Sequence, residues 1–468
     1  MSTRKVVDAK NLDTDELVYF KSHAKATYMS DGTTVEDAIK TAGTESLTVT
    51  VTGVTEGFTI QVYDGDGNVI DSQTTPTKTY RIKEGVSYKV VASAIEGYKT
   101  PESTDLKLAY PYVDTSVEMK YEQLKITTIR LNMNLTDPYG MVTRIVNLGG
   151  IEAIRENSHR YTGTVVDHVM QLKQLDDNDG TKYLDGTDAD LDTLGNDVWM
   201  KLPKFYWSVS NYTIDVWDIS VAYGTKPDNS YNTWEGNDLI GVYEAQDNLG
   251  KIYSCSGIFS VGGVSQSTLK VYASARGDGF SLVKWKHHCM MGILYYIYYG
   301  NTNCQAIVGS GTSSDSKTTG ATNSLGMTDT DTTNGNSMSI NFWGLENWWG
   351  NKYEWIDNVV VNGGTFTITE DDGTTREVNG IYSNGYINKM LIYPNLDLVP
   401  TAVEGSTTTG FCDYYTSGTI NTTVLARSDT NNSNTGGVTG LYALKEASET
   451  GSTITSRLAY TGEYEIIG

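Results

Sequence analysis

Cysteine, histidine and proline are scarce in this chain of 468 residues, which has 4 Cys, 5 His and 8 Pro. The cysteines, Cys255, Cys289, Cys304 and Cys412, are widely separated and form no Cys-x-x-Cys pair, which argues against a disulfide framework or a thiolate metal knuckle. They read as ordinary thiols of a chain made in a reducing cytoplasm, one disulfide being the alternative. Positive charge is also short, since 35 Lys and Arg against 57 Asp and Glu give a formal charge of −22. Such a surface repels phosphate backbones and anionic headgroups, so neither a nucleic-acid partner nor electrostatic membrane docking is expected. No stretch approaches about 18 consecutive apolar residues, and MSTRKVVDAKNLDTDE at the start has basic residues with no apolar segment behind them. Membrane insertion and export by a signal peptide are therefore not expected. Phenylalanine is sparse too, with 8 Phe against 32 Tyr, which favours aromatic surface that must also meet water.

What is present describes a folded, multidomain chain, because 38% hydrophobic content with 47 Gly spans more than one core of roughly 100 to 200 residues. Residues 1–43 are too few to bury a core. Even so, Val18 and Phe20 alternate with Tyr19 and Lys21, Asp31-Gly32 reads as a turn, and Thr33 with Glu36 forms a capping box. The segment is either a frayed terminus or an anchor that folds against another chain or against copies of itself. Residues 45–121 carry period-two alternation in SLTVTVTGV, FTIQVYD, KTYRIKEG and SYKVVASAI, the pattern of a small β-sandwich. Asp64 to Asn68, DGDGN, reads as a hairpin tip, an isolated cation site there being the lesser reading. The pattern resembles immunoglobulin-like modules of surface and fibre proteins, which implies a spacer.

All nine tryptophans lie between Trp199 and Trp355, so residues 122–468 form a unit with different packing. Four of them fall within NFWGLENWWGNKYEWIDNVVV (341–361), where aromatic payload on this scale mostly fills a core. The spacing of Leu282, Trp285, Cys289, Ile293 and Tyr296 predicts a helix over 279–300, stopped by Gly300. His287 and His288 are adjacent on it, about 100° apart, one expected packed and one exposed. The Ser/Thr/Gly/Asn tracts 309–338 and 404–437 have too little apolar content for continuous regular structure. No fixed-period repeat occurs, which argues against a solenoid or propeller.

Four stretches in order, GNDVWMKLPKFYW (195–207), the helix with YYGNTNCQAIVGSG (298–311), GLENWWGNKYEWIDNV (344–359) and VLARSDTNNSNTGGVTGLYAL through SRLAY (424–460), resemble the C-type-lectin-like fold. The variant is that shared by formylglycine-generating enzymes, phage receptor-binding tips and the variable proteins of diversity-generating retroelements. The resemblance implies that the tryptophans pack between helix and sheet. It also implies that the C-terminal tract lies on an exposed ligand face. Tyr414, Tyr415, Asn421, Asn431, Asn432 and Asn434 are the candidate ligand-binding residues there, since Tyr gives contact area and Asn gives adaptable hydrogen bonds. A solvated polar loop is the alternative, with Arg427 a structural residue beneath it. The stretch HAKATYMSDGTTVEDAI further resembles segments that begin fibre proteins of tailed phages.

Chemistry is discounted on several grounds. Formylglycine-generating enzymes carry a reactive cysteine pair near the C-terminal end, where only Cys412 lies here, so copper binding lacks its second thiolate. The Glu-Pro-Asn and Trp-Asn-Asp motifs of calcium-dependent lectins are absent. LDDNDG (175–180) and DGTDADLD (185–192) lack full EF-hand spacing and read as solvated acidic loops or a structural calcium site. No nucleophile–base pair is singled out among the histidines. The expectation is a non-enzymatic fibre or appendage protein of a phage virion, on head or tail, needing no cofactor. Its fold is mainly β with an α+β part: anchor, immunoglobulin-like sandwich, C-type-lectin-like tip. Its partners would be copies of itself, as a homotrimer, other virion proteins through the N-terminus, and a host-surface glycan or protein. The alternatives are a capsid decoration with weak surface contacts, or an oxidising or glycan-processing enzyme on the same fold.

Overall fold

The computed structural model describes residues 44–83, 86–107, 114–312, 317–335, 337–392, 394–418, 421–428 and 435–467. The expected anchor 1–43 lies outside them. The chain divides into two compact units, Met1–Gln123 and Leu124–Gly468, each built mainly from strands.

In the first unit, strand Thr44–Thr52 lies between Thr77–Lys83, antiparallel, and Thr115–Lys120, parallel. A second sheet runs in the order Val69–Gln73, Ile60–Tyr63, Ser87–Ala92, Thr104–Lys107. Alternation explains both. Leu47, Val49 and Val51 are buried, as are Ile60 and Val62, Tyr88, Val90 and Ala92, and Val117 and Met119, and together they form one core. Burying each such aliphatic side chain stabilises by about 1.5–3 kcal/mol. DGDGN does form the tip between Ile60–Tyr63 and Val69–Gln73. Oδ1 of Asp64 accepts from the backbone N–H of Asn68 at 2.9 Å and of Asp66 at 3.0 Å. These bonds, with the Asn68 side chain, hold the Asp64 carboxyl below its usual range and commit it to the turn.

The second unit contains a five-stranded antiparallel sheet in the order Val142–Asn147, Lys125–Asn132, Val216–Tyr223, Phe205–Thr213, Asn232–Trp234. A larger mixed sheet runs Gly385–Tyr386, Tyr414–Ser417, Leu441–Lys445, Thr423–Arg427, Tyr353–Asn362, Ile454–Tyr460, Leu239–Glu244, and on to Tyr464–Ile466 at its far edge. Helix Trp285–Tyr299 shares one apolar core with both. Ile129, Leu131, Ile219 and Val221 from the smaller sheet, Met290, Ile293, Leu294 and Ile297 from the helix, and Leu425 and Leu441 from the larger belong to it. A helix buried on nearly every side needs no polar stripe, and 12 of its 15 residues are buried.

Two sequence expectations are corrected here. The helix begins at Trp285 rather than Gly279, because Phe280 and Leu282 alternate with Ser281 and pair as a strand with Tyr460 and Leu458. Gly300 does end it, in the left-handed conformation at φ 63. His287 and His288 are both fully buried. His287 accepts the Lys284 backbone N–H on Nδ1 at 3.0 Å and pairs through Nε2 with Asp238 at 2.9 Å, so it serves the helix start. His288 stacks on Trp285 with ring centroids 5.2 Å apart.

Candidate ligand face

The tryptophan stretch is a scaffold that also ties down loops. Trp343, Trp348, Trp349 and Trp355 all have 0% exposure, and several residues of the stretch bond the backbone of other loops. Asn341 donates to the carbonyls of Thr328 at 2.6 Å and Gly326 at 3.0 Å. Glu346 accepts from the N–H groups of Gly320 and Thr322, both at 2.8 Å. Trp349 Nε1 donates to Gly309 O at 2.9 Å. The polar tract that follows the helix is therefore held by buried partners despite its lack of regular structure. Gly344, at φ 74, sits where a Cβ would meet the Met327 thioether, so a side chain there would be both strained and crowded.

Beneath the large sheet lies a buried ion network. Arg457 donates to Glu354 at 2.6 Å and 3.0 Å and to the carbonyls of Gly241, Val242, Glu346 and Asn347. Arg427 sends two N–H groups to Trp348 O, each at 2.7 Å, and lies 3.4 Å over that ring. It is 1% exposed, which makes it a structural residue. Glu244 completes the group, accepting from the Asn351 side chain and, at 3.2 Å, from the Lys352 N–H.

The expected contact residues divide. Asn431, Asn432 and Asn434 lie outside the described residues. Asn421 is exposed, beside Glu446 at 3.5 Å. Tyr414 is half-buried and meets Tyr386 edge-on at 5.1 Å. Tyr415 does not fit a contact role: with 0% exposure it packs against Phe366, ring centroids 6.1 Å apart, and burial pushes its hydroxyl up to about 12. The reason is strand geometry, since within Tyr414–Ser417 alternate side chains face opposite ways and Tyr415 takes the core side. The 404–437 tract is also less irregular than its composition implies. It contains Tyr414–Ser417 and Thr423–Arg427, the latter buried at every position.

The same alternation reveals partners that composition did not single out. Thr416 pairs in register with Tyr442, and Tyr442 with Ala426, while Tyr386 pairs with Tyr414. Tyr442 meets Tyr353 with ring centroids 4.7 Å apart and the planes tilted by 41°. Tyr386, Tyr414, Thr416, Tyr442 and Tyr353 are all half-buried and form a row at the sheet's end, where Tyr353 and Tyr442 also pack against the core cluster that contains Trp355. The pattern Leu-Tyr-Ala-Leu at 441–444, read as a strand, was the available signal for Tyr442.

A buried carboxylate fixes the neighbouring loop. Asp413 accepts from Thr439 N–H at 2.8 Å and Oγ1 at 2.7 Å, and Cys304 Sγ lies 3.8 Å away. Gly437 packs so closely on it that a Cβ would collide with the carboxylate. Burial raises the Asp413 carboxyl from 3.8 to about 7. Between those values the unfolded chain has lost this proton while the folded chain keeps it, so the group's stabilisation is full below about 4 and is lost as pH rises to about 7. Asp413→Asn removes that dependence. Relative to the parent, the variant should gain roughly 2–3 kcal/mol between pH 5 and pH 7.5, at up to about 1.4 kcal/mol per pH unit. Chemical unfolding at both pH values checks this; a difference between variant and parent that does not change with pH would refute it.

Other candidates are structural. Cys304 approaches Asp413, the residue after Cys412, a proximity the sequence did not disclose, but both thiols are buried, and burial pushes the Cys412 thiol up to about 12, the opposite of a reactive thiolate. In the acidic loops, Asp176, Asp179 and Asp185 accept backbone N–H groups of their own turns. Among the described residues no group of three or more His, Cys, Asp or Glu side chains is arranged to hold a metal ion. Trp234 stacks on Phe205 and is 8% exposed, which makes it a core residue.

No family model matches the sequence, and no curated protein matches it. Among solved structures, a mutant form of the shaft pilin spaA from Lactobacillus rhamnosus GG is similar over 45% of this chain and 94% of its own, at 12% identity and a TM-score of 0.16. A superposition this loose carries no argument about fold or function.

Proposed function

We propose that this chain is a fibre or appendage protein of a tailed-phage virion, with a C-type-lectin-like tip at 122–468 that binds the host surface and an immunoglobulin-like spacer at 45–121. Residues 1–43 attach it to the particle, and copies assemble as a trimer. The observation that carries the reading is the division of labour in the C-terminal unit. Its tryptophans, arginines and buried carboxylates are spent on holding polar loops and a hydroxyl-rich sheet end in place, which is what a binding surface requires. Supporting the spacer are two small sheets sharing one core. The reading assigns the chain binding rather than catalysis.

Deleting residues 1–43 is expected to leave the melting curve of 44–468 unchanged and to abolish incorporation into particles. Particles assembled with the truncated protein and purified by density gradient provide the measurement. Normal incorporation would remove the anchor from the account.

A further inference from the structure

We infer that the row formed by Tyr386, Tyr414, Thr416, Tyr442 and Tyr353 is a platform for an uncharged oligosaccharide. This rests on the reading of the C-terminal unit as a surface-binding tip and names the class of ligand it takes.

The row exists because strand alternation turns Tyr415, Ser417, Leu441 and Ala443 into the core and leaves Tyr414, Thr416 and Tyr442 on the opposite face. Helix Gln266–Ser274 packs over the same face farther along the sheet, against Tyr353–Asn362 and Ile454–Tyr460, with Leu269 and Ala273 in the cluster that includes Trp355. Towards the sheet's end the face continues as tyrosine. An outward sheet face that serves only to meet water usually carries charged and polar side chains. Here five half-buried side chains each bear a hydroxyl and none bears a charge.

That chemistry selects among partners. A pyranose presents an apolar C–H face and a rim of hydroxyls, which matches an aromatic ring face beside hydroxyl donors and acceptors. Two ring pairs, Tyr386 with Tyr414 at 5.1 Å and Tyr353 with Tyr442 at 4.7 Å, give two aromatic positions, which suits an oligosaccharide rather than one sugar. The nearest ion pair on the strand, Lys445 with Glu449 at 3.7 Å, is self-neutralising, so nothing in the row recruits a charged ligand. A row of tyrosines also suits an interface between copies of the chain, and the oligomeric state of a Tyr386→Ala/Tyr414→Ala variant separates that occupant from the oligosaccharide.

The test applies the full chain to an array of neutral and acidic oligosaccharides, beside Tyr386→Ala/Tyr414→Ala and Tyr386→Phe/Tyr414→Phe. The parent should bind neutral oligosaccharides. The Ala pair should bind about tenfold or more weakly with an unchanged melting curve, and the Phe pair, which keeps the rings, should retain most of the signal. If the Ala pair melts early, Tyr442→Ser is judged by the same criteria. A parent that binds no neutral oligosaccharide, or an Ala pair that binds as the parent does, would overturn the inference. So would a smaller oligomer for the Ala pair, which would assign the row to contact between copies. Cell adsorption by the parent separates the two levels: adsorption without neutral-glycan binding refutes this inference and leaves the tip reading standing, whereas no adsorption removes both.

Discussion

Arg457→Met should lower the stability of the C-terminal unit by about 3–5 kcal/mol, a large share of the roughly 5–15 kcal/mol that holds a typical domain together. Arg457 is fully buried and is bonded to Glu354 and to four backbone carbonyls. Removing it leaves the Glu354 carboxylate with Arg427 alone, at 3.3 Å, and strips donors from carbonyls that have no route to water. Neutralising Glu354 as well should recover part of the loss, because the remaining charge is then removed, but not all of it, because the carbonyls stay unpaired. Denaturant unfolding followed by tryptophan fluorescence reads this unit selectively, since all nine tryptophans lie between Trp199 and Trp355. A loss below about 1 kcal/mol, the scale of an exposed ion pair, would show that the network does not hold the fold.

Trp348→Ala should be comparably severe, at about 3–5 kcal/mol. The ring is buried, and one face carries the Arg427 guanidinium at 3.4 Å. Truncation would open a cavity and leave that cation without its aromatic support, so the cost exceeds that of the lost apolar area alone. Trp355→Ala belongs to the same range, since Trp355 is equally buried in the cluster under helix Gln266–Ser274. The expected phenotype is unfolding with loss of every binding activity together. A variant that melts like the parent yet fails to bind would move that tryptophan from scaffold to site.

The sequence exposes the parts of this molecule whose physics is local. Strands such as Thr44–Thr52 and Ser87–Ala92 announce themselves because one face is buried and the pleat has a period of two. The burial of the tryptophan stretch follows from side-chain size. The helix start was misplaced because Phe280 and Leu282, two residues apart, fit the end of an apolar helical run as readily as a strand. Both histidines being buried could not be read, since a helix packed on all sides leaves no polar stripe to mark its orientation. Tyr414 and Tyr415 are equivalent in composition, and only the strand direction separates one facing outward from one in the core. The Glu244, Glu354, Arg427 and Arg457 network joins residues far apart in the chain, and no spacing rule links them.

Where this protein sits, and which end faces outward, decides whether it is a virion appendage. Electron microscopy of purified particles labelled with an antibody raised against residues 124–468 addresses that directly. Label is expected on the intact virion at the outer ends of appendages, in groups consistent with three copies. Purified particles that carry no label, or label found only when the particle is opened, would contradict it.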